Sequence, residues 1–369
     1  MQESKLVKIF QQISTQEQIR LRKFVASPYH NQREDLVILL DFLITNTRKK
    51  NSTYDKQAAW ALCYGETQPY NDPKMRLIMR LLLVLIEQFW VLEALQKDTF
   101  QANTYLFQKY KSLEFANESA HLYELNEHWL ATQARCDHIH LYQKYQLLGT
   151  DYGLSHSLKR NTDRSFQPLA DALEAMFIAE KLRQACFLEA HQSIHKIEYN
   201  FGLLPSVIAY IEQNLQVWLA YPAICVYYYA YKSQNGSDSA QNAQYFKTYL
   251  ELLLGLEQEF EQEELRDLYR MAINYTIKQA NQHAAPEAIR QMFSLYQSGL
   301  AKGILLENGQ LSRFAYKNVI GLVLRLEEWA WASQFLETYT PLLPETYQES
   351  YANFAKGKFY AAQKKYPKP

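Results

Sequence analysis

The chain has 369 residues, 48% hydrophobic and 21% charged, and its 39 basic side chains balance 39 acidic ones. That composition can bury a core, which excludes a disordered polymer. The zero net charge removes the basic excess by which nucleic-acid binders neutralise phosphates. Gly and Pro number only 11 each, too few for the tight turns of an all-β protein of this size.

In chain order, Met1 to Gln18 mixes charges with apolar residues at helical spacing and lacks the uninterrupted apolar run of a signal peptide. Thr15 to Gln18 and Asn31 to Glu34 have capping-box spacing, with Ser27-Pro28 separating the two helices. Asp72-Pro73 reads as a capping carboxylate before a first-turn proline. The most apolar run, Leu81 to Ile86, falls far short of the about 20 residues needed to span a bilayer. No membrane insertion is expected, and the expected location is cytoplasmic.

Gly149 to Ser165 collects Gly149, Gly153, Ser155, Ser157, Asn161 and Asp163 and predicts a loop. It divides the chain into an N-terminal helical bundle, 1–150, and a helical-repeat region, 166–369. Pro222 and Pro286 predict first-turn prolines, Lys232 to Asn242 a long connection, and Asn308-Gly309 a helix stop before a cap at Ser312. Leu311, Ala315, Val319, Leu322 and Leu326 form one apolar stripe, and Trp331, Phe335 and Tyr339 another. No stretch alternates as a strand would, so no sheet is expected. Helix pairs start near Pro222, Leu265, Ser312 and Thr346, roughly 35 to 47 residues apart, the interval of helical-hairpin repeats. The expected fold class is all-α, with such hairpins stacked into an α-solenoid behind the N-terminal bundle.

Gly357, Tyr360 and Tyr366 have the spacing of a small residue and two aromatics in the first helix of a tetratricopeptide repeat. The C-terminal region therefore resembles a divergent tetratricopeptide-like protein, although Asn353 stands where a Trp-like residue is usual. The resemblance implies a scaffold or peptide-binding module whose first helices line a concave face.

Three expected first helices pair an Asn with a nearby Tyr: Asn274 with Tyr275, Asn318 with Tyr316, and Asn353 with Tyr351. Lys278 lies one turn beyond Asn274, and Arg325 two turns beyond Asn318. Asn can donate to and accept from a peptide backbone, and Lys or Arg can hold a carboxylate. These eight residues are the candidate peptide-binding set, and the expected partner is a protein or peptide. The 28 tyrosines suit either half-buried packing or such a groove.

Catalytic signatures are absent: the glycines form no GxG, and no GxSxG occurs. The weak metal candidates are His191 with His195, four apart, and His121, Glu124 and His128 on one helical face. Gln192 stands where a zinc peptidase needs its Glu base. His138 and His140, two apart, point different ways. The four cysteines form no CxxC and predict buried thiols. No cofactor is expected. The leading expectation is a non-enzymatic binding scaffold. A ligand- or peptide-responsive regulator, a His-based metal enzyme and an RNA-binding helical repeat are the alternatives.

Overall fold

In a computed structural model the described residues are 1–47, 53–155, 166–236, 238–283 and 286–362. They are almost entirely helical: α1 (Lys5–Phe10), α2 (Thr15–Val25), α3 (Glu34–Thr47), α4 (Lys56–Tyr64), α5 (Asp72–Lys97), α6 (Thr99–Ser112), α7 (Ala116–Thr132), α8 (His138–Ser155), α9 (Gln167–His195), α10 (Leu204–Gln213), α11 (Leu215–Trp218), α12 (Pro222–Asn235), α13 (Ser239–Gly255), α14 (Gln262–His283), α15 (Pro286–Ala301), α16 (Arg313–Arg325), α17 (Trp329–Tyr339) and α18 (Glu345–Ala362). The described residues are all-α apart from two two-residue strands, and no described helix is long and apolar enough to cross a membrane.

Those strands, β1 (Leu306–Glu307) and β2 (Gln310–Leu311), correct the expectation of no sheet. They pair antiparallel, Leu306 opposite Leu311 and Glu307 opposite Gln310. Asn308 and Gly309 join them with φ of 52° and 77°. Two successive positive φ angles define a tight hairpin turn whose twist matches its strands, which is why Asn-Gly favours a hairpin. The helix stop expected there belongs instead to α15, which ends at Ala301.

Two compact units divide inside α7: Met1–Tyr123 and Glu124–Pro369. The division precedes the expected linker. Gly149 to Ser155 is not a loop but the end of α8, and 156–165 lies outside the described residues. The two glycines cost about 1 kcal/mol each in a helix. Burial of Leu141 and Leu147, with α8 packed along α9, outweighs that cost. The 232–242 connection also shortens, because α12 continues to Asn235 and α13 starts at Ser239, capped by Asp238 through the Gln241 amide at 2.7 Å.

In the first unit, α5 buries Met75, Ile78, Met79, Leu82, Leu85, Ile86 and Phe89 against α1, α2 and α3. Its cap is Asn71, which accepts from the Lys74 amide at 2.9 Å. Asp72, the cap expected from sequence, is instead the first helical residue and binds Lys56 and Tyr70. Those bonds, Lys56 first, hold its pKa down to about 2. Likewise Ser14, not Thr15, caps α2. Asn31 closes the α2–α3 turn through the Val25 and Arg33 carbonyls.

In the second unit, α12 is the central helix. Ala223, Ile224, Val226, Tyr227 and Ala230 are each at most 1% exposed, so the helix is apolar all round, as an interior helix must be. It packs against α9, α13 and α14. Further hairpins pair α14 with α15 and α16 with α17, and α18 packs on α16. Pro222, Pro286 and Ser312 start their helices as expected. Gly299 marks the closest approach: an added Cβ would lie 2.9 Å from Leu305 Cγ and Cδ1 and 3.1 Å from Tyr269 Cδ1. Gly-to-Ala in a helix normally gains about 1 kcal/mol, but overpacking costs about 1–3 kcal/mol. Gly299→Ala is therefore expected to lower stability by about 1 kcal/mol in a denaturant titration; a stabilised variant would contradict the packing described.

Candidate functional site

The candidate peptide-binding residues separate by depth. Tyr275 is buried and stacks on Phe246 at 3.9 Å between ring centroids. Tyr316 is fully buried, with its hydroxyl 2.8 Å from Thr340 Oγ1. Tyr351 is half-buried, edge-on to Tyr316. The tyrosines therefore hold helices together instead of lining an open groove. Asn274 and Lys278 on α14, Asn318 and Arg325 on α16, and Asn353 on α18 are exposed. Asn318 donates to the Tyr296 hydroxyl at 3.4 Å.

Helical periodicity explains this layering: each Tyr sits one or two residues from its Asn, so the two point to different faces. The sequence of α16, RFAYKNVIGLVLR, carries three cations and no acid. Lys317 joins Arg325 and Asn318 on its exposed side. The α16 and α18 helices are neighbours, and α14 is linked to α16 through α15. Elsewhere in the second unit, Gly357 has open space where a Cβ would stand and Tyr360 is half exposed, while Tyr366 lies outside the described residues.

A second feature escaped the sequence reading. Where α14 begins, Glu264 is 4% exposed and accepts from the Tyr227 hydroxyl of α12 at 2.8 Å. His138 Nδ1, at the start of α8, lies 3.0 Å from the same carboxylate oxygen, and Arg183 Nε of α9 lies 3.9 Å away. Asp137, 2% exposed, caps α8 by accepting from the His140 amide at 2.9 Å. The Cys136 amide donates to the Glu259 carbonyl, and Arg135 pairs with Glu261. Five helix-borne or capping polar groups thus meet where α8, α9, α12 and α14 converge.

Among the described residues, Asp137 Oδ2, His138 Nδ1, His140 Nδ1, Arg183 Nε and Glu264 Oε2 are buried with no well-aligned hydrogen-bond partner. Burial, followed by the nearby Glu264 charge, pushes the Asp137 carboxyl up against the pull of the His140 amide. Burial pulls His140 below its ordinary 6.5 and pushes the Tyr227 hydroxyl well above its ordinary value. The Asp137-His138-Ile139-His140 run, three titratable groups at a helix start, was the available signal.

A histidine whose folded pKa lies below its unfolded value supports folding while neutral. That contribution is present above pH 6.5 and is lost as pH falls through the unfolded value toward the lowered folded one. His140→Gln is expected to flatten the fall in unfolding midpoint as pH drops below about 6.5. A variant as steep as wild type would remove His140 from this account.

The metal candidates stand apart from this cluster. His191 and His195 stack at 4.2 Å near the exposed end of α9, and His191 Nδ1 is 2.9 Å from the Tyr199 hydroxyl. His121, Glu124 and His128 are exposed on α7. Among the described residues no three His, Cys, Asp or Glu side chains form a group that could hold a metal ion. The four cysteines are free; Cys186 and Cys225 are buried, and Cys63 and Cys136 half-buried.

Two hollows occur. One in the second unit, about 180 Å³, includes Leu141, Lys144, Asp171 and Tyr221. The other, in the first unit and about 500 Å³, has Phe24 and His30 on one wall and Val84, Val91 and Leu92 of α5 on the other. Comparison with protein families, curated proteins and solved structures finds no match.

Proposed function

We propose that the chain is a binding module that acts without catalysis, with a peptide or protein segment held across α14, α16 and α18 of a solenoid-like hairpin array. The observation that carries this reading is the layering at those helices. Exposed Asn274, Lys278, Asn318, Arg325 and Asn353 stand over tyrosines committed to packing. A rigid floor beneath exposed amides lowers the ordering cost of binding. Asparagine side chains can satisfy an extended backbone, and the cations of α14 and α16 suit carboxylates. The succession α12–α13, α14–α15, α16–α17 and α18 supports a repeat-like array.

The test is affinity capture with the full chain, quantified for wild type and for the Asn274→Ala, Asn318→Ala double variant. Loss of two hydrogen-bonding amides, at about 1 kcal/mol each, is expected to weaken a retained partner about tenfold or more. Undiminished retention by a folded double variant would overturn the reading.

A further inference from the structure

The 26-residue α5 carries a second apolar stripe besides the one it buries. Leu77, Leu81, Val84, Val91 and Leu95, with the polar and exposed Gln88 between Val84 and Val91, follow one another at intervals of four, three, four, three and four. That alternation keeps a seam on one side of a helix, as in a coiled coil. Among the described residues of the first unit the stripe is open at three positions, with Leu77 48%, Val84 40% and Val91 67% exposed, while Leu95 is half-buried and Leu81 half-buried with part of its side chain packed on the unit's own core. The 500 Å³ groove beside Phe24 and His30 extends the apolar surface sideways from Val84 and Val91.

The flank of the stripe selects its occupant. Arg80 and Glu87 are both exposed, one heptad apart on the same edge of the seam. They lie on either side of Val84, with Leu77 and Val91 equally spaced beyond. A surface whose cation and anion exchange places under a half-turn is complementary to itself. In an isologous contact residue i meets j while j meets i, and antiparallel helices bring equivalent edges together.

We propose that α5 docks antiparallel on α5 of a second copy of this chain, about a two-fold axis beside Leu81 and Val84. Leu81 and Val84 of each copy meet at the centre. Arg80 of each copy faces Glu87 of the other, so one kind of ion pair forms twice. A parallel arrangement would lose this, because equivalent edges would no longer adjoin. Glu87 has an internal partner, Lys5 at 3.1 Å, but those side chains are 69% and 48% exposed, and such pairs contribute little.

Sedimentation equilibrium of the full chain, from low to high micromolar, tests this together with three variants. Wild type is expected to pass from single-chain to two-chain mass. Arg80→Glu puts like charges opposite each other twice, and Val84→Asp buries two facing carboxylates; each is expected to weaken association roughly 100-fold. The double reversal, Arg80→Glu with Glu87→Arg, restores both pairs in swapped order and is expected to return the dissociation constant to within about threefold of wild type. Circular dichroism confirms that each variant is folded. Single-chain mass throughout, a dimer insensitive to Arg80→Glu and Val84→Asp, or a double reversal that fails to restore association would each overturn the proposal.

Discussion

Glu264→Ala is expected to be among the most damaging single changes at any polar residue of the second unit. Glu264 is the common partner of Tyr227, His138 and Arg183. Truncation leaves a buried hydroxyl without its acceptor and a guanidinium without one of its carboxylates. Removing one member of a buried charged pair costs about 3–5 kcal/mol. Arg183 also reaches Glu180 at 3.2 Å and its side chain is 25% exposed, so the expected loss is at the low end, about 3 kcal/mol. At about 2–4 °C per kcal/mol for a unit of this size, the midpoint should fall by about 6–12 °C in a thermal scan. Glu264→Gln keeps an acceptor for Tyr227 and should lose only about 1 kcal/mol. Equal losses for the two variants would mean that charge, not hydrogen bonding, dominates the cluster.

Val226→Asp should have the larger effect. Val226 is fully buried at the middle of α12, whose neighbouring positions are closed on every side. A carboxylate buried there loses its hydration, and such changes cost about 4–5 kcal/mol or more. That is comparable with the total stability of a domain, about 5–15 kcal/mol. The two units have separate hydrophobic cores, one built from α1 to α5 and the other from α8 to α18. Hydrogen exchange should therefore lose protection in α9, α12, α13 and α14, while α3 and α5 keep theirs. Protection lost equally from both sets would contradict independent cores.

Much of the helical framework was legible in the sequence because it rests on local signals. Pro222, Pro286 and Ser312 mark real helix starts, since a first-turn proline or a capping hydroxyl acts within four residues. Errors of one residue at Ser14 and Asn71 arose because adjacent polar residues compete for the same cap. Asn308-Gly309 was misjudged for a different reason: the same dipeptide suits a helix end or a hairpin, and flanking Leu306 and Leu311 decide for the hairpin only once paired.

The candidate surface was half legible. Periodicity separates Asn274 from Tyr275 and Asn318 from Tyr316, but which of each pair faces water depends on what the helix packs against. The Glu264 cluster was not legible. In the run Glu263-Glu264 at the start of α14, only the packing of α8, α9 and α12 distinguishes an exposed carboxylate from a buried one. His138 is drawn inward by the same convergence, from well over a hundred residues away in the chain.

These features connect the interior to the proposed binding surface. Glu264 fixes the start of the same helix that presents Asn274 and Lys278. Glu264→Gln, which spares most of the stability, should therefore leave ligand binding nearly intact if the cluster only holds α14 in place.

The most direct test of the central claim is hydrogen–deuterium exchange of the full chain, free and in complex with its captured partner. The account predicts slowed exchange in α14, α16 and α18, diminished in step with the weakened binding of the Asn274→Ala, Asn318→Ala variant. Slowed exchange confined to other helices, or protection of α14, α16 and α18 that is undiminished in that variant at equal partner concentration, would contradict it.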